Sequence, residues 1–355
     1  MAPRYSYTPR RSGKRPSPRR ATGGVSNDGT RAMSPVLPIL AVLTVLVAAI
    51  WFASQNDGSL PDVGQGQALA LVATPAPEDS ASRMAIVPQR TPREEETPPP
   101  IDAVAAAVME APCGDLLLGL NHRGQLPPAS LTKIATALVA AQSGDLAEVI
   151  DIEIDGGALS LQTDSTVMGV KPGQQLTLEA LLYGLMLRSG YDAAITIANE
   201  VGGSEQEFVA MMNALTASLG LDDTHFVNPH GLDHPNHYSS AYDMAALGVA
   251  LLQEPTLAEI VATREYTPAG WTDGPLENIN FLLGSYPGAI GIKTGFTDLA
   301  GQTLVGAAER DGRTIVVSIM NSENLYVDAE KLLDWAFDST VPACGATNDD
   351  TRALG

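Results

Sequence analysis

The chain has 355 residues, 45% apolar and 17% charged, enough for one sizeable globular domain with extensions. Its formal net charge of −20 is uneven: residues 1–33 hold eight Lys/Arg and one acid, leaving 13 basic against 40 acidic side chains beyond them. So acidic an exterior argues against nucleic acid as a partner, and the two cysteines, Cys113 and Cys344, are too few for a disulfide scaffold and lack metal-ligand spacing.

Residues 1–34 are Arg-, Pro- and Ser-rich without an apolar period, and read as a basic, disordered cytoplasmic tail. Residues 35–53 form an uncharged apolar run of nineteen, long enough for a membrane span, with the preceding arginines on the cytoplasmic side. A cleaved signal segment ending near Ala53-Ser54 is the rival, and the long preceding tail favours a retained anchor. Residues 54–100, with eight prolines, read as a linker. A flexible chain of that length spans roughly 40 Å on root-mean-square average, holding the C-terminal part of the chain away from the membrane and outside the cytoplasm.

Residues 101–340 have the composition of a folded domain. Ala103–Met109 and Leu116–Leu120 are predicted strands joined by a turn at Pro112-Cys113-Gly114-Asp115. From Ser130 to about Arg264 the pattern is mostly helical, clearest at Leu178–Leu187, Ala193–Val201 and the amphipathic Glu205–Leu219. Strands return at Ala289–Phe296, Gln302–Glu309 and Thr314–Asn321, the last two joined through Arg310-Asp311-Gly312-Arg313, before a closing helix Asp328–Phe337. Strands at both ends with helices between predict an α+β fold, one antiparallel sheet assembled from both termini and flanked by helices. Residues 341–355 read as a disordered tail.

Three stretches carry chemistry. In Ser130-Leu131-Thr132-Lys133 the lysine is the only charge between Arg123 and Asp145, within a run apolar on all sides and therefore buried. Burial depresses a lysine pKa, and the i, i+3 spacing puts Ser130 and Lys133 on one helix face, where the amine can take the hydroxyl proton. Ser189-Gly190-Tyr191 breaks two apolar helices. Lys293-Thr294-Gly295-Phe296 lies on a strand whose only charge is Lys293, and Gly295 lets a ligand backbone approach closely. Each pattern alone is common; their order is what informs.

S-x-x-K, a Ser-bearing loop and K-T-G in that order resemble the penicillin-recognising serine enzymes. Pro128–Lys133, Tyr183–Leu187, Asn228–Asp233, His237–Ala245 and Gly291–Gly295 are similar to D-alanyl-D-alanine carboxypeptidases of the low-molecular-mass penicillin-binding protein type, over roughly 103–338. The resemblance implies a transpeptidase/β-lactamase-like fold and no metal or organic cofactor. It implies Ser130 as nucleophile on the bond between two D-alanines of a peptidoglycan stem peptide, Lys133 as general base and Ser189 as proton donor to the leaving D-alanine. Lys293 and Thr294 would hold the terminal carboxylate, and the N–H groups of Ser130 and Phe296 would form the oxyanion hole. β-Lactam antibiotics would acylate the same serine.

Two departures stand out. The second motif of these enzymes is usually Ser-x-Asn, and Tyr191 holds the third position here. The β-rich second domain and C-terminal anchor common among them are expected to be missing, with residues 35–53 tethering the protein instead. Class A β-lactamase is a rival reading, but no Glu-x-x-Leu-Asn loop lies between Ser189 and Lys293. A weakly active penicillin- or peptidoglycan-binding module is another, resting on Tyr191 alone. The same site chemistry also suits a D,D-endopeptidase acting on cross-links. His225, His230, His234 and His237 suggest a metal, but their irregular loop favours structural or solvated roles. Cys113 and Cys344 flank elements that a sheet built from both termini can bring together, so a disulfide and two free thiols both remain open.

Overall fold

Apolar alternation along two early strands and three late ones builds a single antiparallel sheet with two greasy faces. The computed structural model describes residues 97–340 and 342–344. Strands β1 (Ala105–Ala111) and β2 (Asp115–Leu120) form the first hairpin. Two small ribbons come next, β3 (Val149–Asp151) with β4 (Gln175–Thr177) and β5 (Glu265–Tyr266) with β6 (Leu276–Glu277). β7 (Ala289–Thr297), β8 (Gly301–Arg310) and β9 (Arg313–Met320) complete the main sheet in the order β2-β1-β9-β8-β7. The early strand β1 thus lies beside the last strand β9, and the expected sheet from both ends of the domain is present.

The β8–β9 connection works because Asp311 and Gly312 both adopt left-handed backbone, φ 54° and 76°, as a two-residue hairpin turn of matching twist requires. Period-2 alternation then divides the side chains. Ala105, Ala107, Met109, Val305, Ala307 and Val316 face the middle helices. Ala106, Val108, Leu304, Ile315, Val317 and Ile319 face Leu325, Ala329, Leu332 and Leu333 of the closing helix, Leu325–Ser339. The helix Lys133–Ser143 lies at the centre of the helical layer, buried at every position from Lys133 to Ala140. It packs against Leu178–Leu187, Tyr191–Gly202, Glu205–Ser218 and Ala241–Leu252.

The end of the domain differs from expectation. Residues 342–344 are held, not loose: Ala343 N donates to Glu110 Oε2 (2.8 Å), and Cys344 forms a disulfide with Cys113 in the β1–β2 turn. Glu110 is buried and paired with Arg313 (2.9 Å), which also donates to the Thr340 carbonyl. A buried carboxylate needs such partners, and satisfying it ties the tail to β1. The basic tail 1–34, the apolar run 35–53, most of the linker and residues 345–355 lie outside the described residues. Among the described residues, no single helix is long and apolar enough to cross a membrane.

Candidate active site

The serine stands on a tight turn that several distant segments hold in place. The α-helix begins at Lys133, and Ser130 lies in the 3-10 turn Ala129–Thr132 just before it, not in the α-helix itself. Ala129 carries a left-handed φ of 49°, a strained backbone for a residue with a Cβ. Two glycines press on this turn. A Cβ on Gly231 would lie 1.9 Å from Ala129 O, and one on Gly295 would lie 2.9 Å from Ser130 N. Thr132 Oγ1 donates to Ala129 O (2.8 Å) and is 2.8 Å from His237 Nε2. His237 Nδ1 accepts from Val227 N, so the neutral ring carries its proton on Nε2 and donates it to Thr132.

Lys133 Nζ lies 3.0 Å from Ser130 Oγ and donates to the backbone carbonyl of His230 (2.5 Å). The lysine is buried, and burial pulls its pKa down to about 7, with the negative charge of Asp192 acting against the shift. A neutral amine that spends one N–H on His230 keeps a lone pair for the Ser130 hydroxyl, which is what a base needs.

On the opposite side, the break between Leu178–Leu187 and Tyr191–Gly202 presents Ser189 at φ 59°. Thr166 pins this loop from both ends: its Oγ1 donates to Ser189 O, and its carbonyl accepts from Tyr191 N. The Ser189 Oγ is buried without a protein hydrogen bond among the described residues. Tyr191 stacks obliquely on His230, ring centroids 4.4 Å apart. The next residue, Asp192, is fully buried and accepts from the N–H groups of Met168, Gly169, Val170 and Ala193.

β7 forms the third wall. Lys293 is buried, with Nζ donating to Thr294 O (2.8 Å), and its pKa falls well below the ordinary lysine value through burial and then the nearby Lys133 charge. Thr294 and Gly295 are half-buried and Phe296 is exposed at the strand end. Thr297 Oγ1 donates to Asp233 Oδ1 (2.8 Å), linking this end of β7 to the 228–233 loop.

The four histidines serve the backbone. Nδ1 of His225 meets Asn236 O, and Nδ1 of His230, His234 and His237 accepts from Leu232 N, Asn236 N and Val227 N. Burial lowers the pKa of His230 and His237 to about 3, so both are neutral. Ser130, Lys133, Ser189, Tyr191, Lys293, Thr294 and Gly295 all belong to segments that meet here. Sequence reasoning missed Asp192, His230 and the His237–Thr132 brace. Asp192 left a trace, as an acid opening an apolar helix. The part His230 plays toward Lys133 is a backbone carbonyl and leaves none.

The chain is similar to several known proteins. A family model described as D-alanyl-D-alanine carboxypeptidase matches residues 92–324. D-alanyl-D-alanine carboxypeptidase DacB2 of Mycobacterium tuberculosis is 37% identical over 65% of this chain and 80% of its own length. DacA of Escherichia coli is 34% identical over 67% of this chain, which spans only 62% of that relative. Among solved structures, a D-alanyl-D-alanine carboxypeptidase of M. tuberculosis H37Rv matches at TM-score 0.65, 35% identity, 72% of this chain and 97% of its own. The Streptomyces K15 DD-transpeptidase matches at 0.64 and 29%, covering 68% of this chain and 99% of its own.

Proposed function

Because this chain belongs to the D-alanyl-D-alanine carboxypeptidase family of serine peptidases, we propose that it removes the terminal D-alanine from peptidoglycan stem peptides through an acyl-enzyme on Ser130. The observation that carries the assignment is the 3.0 Å approach of Ser130 Oγ to a buried Lys133 whose pKa is about 7. Lys133 takes the hydroxyl proton as Oγ attacks the carbonyl between the two D-alanines. The N–H groups of Ser130 and Phe296 receive the developing oxyanion. Ser189 Oγ hands a proton to the departing amine and takes the one Lys133 holds, so both groups return to their starting state. The D-alanine carboxylate is held by Lys293 and Thr294, and its negative charge favours the charged form of the buried Lys293. Water then hydrolyses the ester and frees Ser130.

β-Lactams would acylate the same oxygen. Tyr191, stacked against His230, would line the cleft beside the substrate where the family usually has Asn. A phenol has one hydroxyl where an amide offers donor and acceptor, so one positioning contact is lost while Ser130, Lys133, Ser189 and Lys293 remain. The expected result is an active but slowed enzyme. The proposal includes a tether through residues 35–53 and an extracytoplasmic catalytic domain, motivated by the apolar run and the basic residues before it.

The test combines fluorescent-penicillin labelling with D-alanine release from a peptide ending in D-Ala-D-Ala, for wild type, Ser130→Ala and Tyr191→Asn. Labelling and release that vanish in Ser130→Ala support the assignment, and slow loss of label separates a carboxypeptidase from a β-lactamase. Wild type no faster than Ser130→Ala, beside an active Tyr191→Asn, would instead mean a disabled binder.

A further inference from the structure

We infer that Tyr191, His230 and Glu205 form a subsite for an ammonium group on the acyl portion of the substrate, along the helical wall of the cleft. This rests on the carboxypeptidase reading, which gives the leaving D-alanine to Lys293 and Thr294 on β7. The acyl portion is then left to the wall built by the 189–191 loop, the 228–233 loop and the start of the helix Glu205–Ser218.

Glu205 is a carboxylate without a cation. Its Oε1 lies 3.9 Å from His230 Nε2, beyond hydrogen-bond range, and no lysine or arginine pairs with it among the described residues. His230 does not supply the missing charge. Its Nδ1 accepts from Leu232 N, so the ring is the neutral tautomer with Nε2–H turned toward Glu205. The carboxylate is partly buried, which raises its pKa. The neighbouring phenol is raised too, by burial and then by the Glu205 charge. A partly buried anion without a cation, beside a hydroxyl and an aromatic face, is the set of partners an ammonium satisfies, through a charge-assisted hydrogen bond and a cation–π contact.

The surroundings suit the rest of such a side chain. Glu205 and Gln206 border an open depression of about 550 Å³ whose lining mixes the apolar Val209, Ala210, Phe226 and Val227 with the polar Asn213 and His225. An alkyl arm can lie along those apolar groups with its charged end at the rim. Beyond residue 33 the chain carries 13 basic against 40 acidic side chains, so the wider field also favours a cation. The subsite is coupled to the reaction centre as well, because the residue stacked on Tyr191 lends its backbone carbonyl to Lys133.

The experiment compares kcat/KM for D-alanine release from two peptides, X-D-Ala-D-Ala with X either lysine or Nε-acetyl-lysine. Wild type should prefer the free ammonium by about tenfold, a modest return for one charge-assisted hydrogen bond. Glu205→Gln should bring the ratio near unity. Glu207→Gln should leave it as in wild type, since Glu207 sits on the same helical turn but bonds Ser204. Equal use of both peptides by wild type, or a preference that persists in Glu205→Gln, overturns the subsite while leaving the carboxypeptidase reading intact. No release from either peptide overturns both.

Discussion

Gly295 on β7 lies flat against the backbone nitrogen of Ser130, so close that a Cβ at 295 would stand 2.9 Å from that nitrogen and 2.6 Å from Thr303 Oγ1. The glycine is what lets a sheet strand and the serine turn share one wall. Gly295→Ala should push β7 away from Ser130 and open the proposed oxyanion hole. The expected loss is about 10²–10³-fold in acylation by benzylpenicillin, with secondary structure unchanged by circular dichroism. A loss below threefold would show that this approach does not set the hole.

The proposed base predicts a pH profile. Lys133 acts only when neutral, and its pKa is about 7. Acylation should therefore rise about tenfold between pH 6 and pH 8 and level off above. Stopped-flow acylation over that range checks it, and a flat profile counts against lysine as the base.

The same burial has a stability signature of fixed sign. Lys133 titrates at about 7 when folded against 10.5 for an ordinary lysine, so between those values the unfolded chain binds a proton that the folded chain does not. Stability therefore rises with pH from about 7 toward 10.5, and the lowered Lys293 adds in the same direction. Lys133→Met, which never carries the charge, should be inactive yet more stable at pH 7, by on the order of a few kcal/mol. It should also show a shallower rise to pH 10. Urea denaturation at both pH values decides.

His237 spans from Val227 N to Thr132 Oγ1, and Thr132 in turn holds Ala129 O. His237→Phe would leave the half-buried Val227 N–H without its acceptor and take from Thr132 Oγ1 the donor on its far side, while the Thr132–Ala129 bond stays. It should cost about 1–3 kcal/mol of stability and slow acylation, because Thr132, which holds the strained Ala129 turn, loses the ring that orients it. Unfolding midpoints together with penicillin labelling rates measure both effects.

The Cys113–Cys344 bond closes a sequence separation of 231 residues. Opening it should lower stability by about 2–4 kcal/mol through the unfolded chain's entropy. β1 and β2 lie on the opposite side of the sheet from β7, so D-alanine release at 25 °C should be little changed. A double Cys→Ala variant compared with the oxidised protein in urea, with activity measured in parallel, tests both halves.

The amino-acid order alone determined the chemistry and the frame. Lone lysines in apolar runs marked Lys133 and Lys293 as buried, because burial is the one setting in which such a run hides a charge. Period-2 alternation and the Asp311-Gly312 turn marked β8 and β9, since those signals are local. Tertiary structure decided the rest. Gly231, Gly295 and His237 converge on Ala129–Thr132 from about 100 to 165 residues away in sequence, and no local pattern encodes such a meeting. The carbonyl that Lys133 uses is His230's, and every residue owns a carbonyl, so only the path of the 228–233 loop could single it out. Cys344 sits in a polar stretch that reads as loose, and it is Glu110, buried in β1 and needing donors, that draws the tail in. Side-chain type is written in the chain; which backbone groups meet it is settled only when distant segments pack.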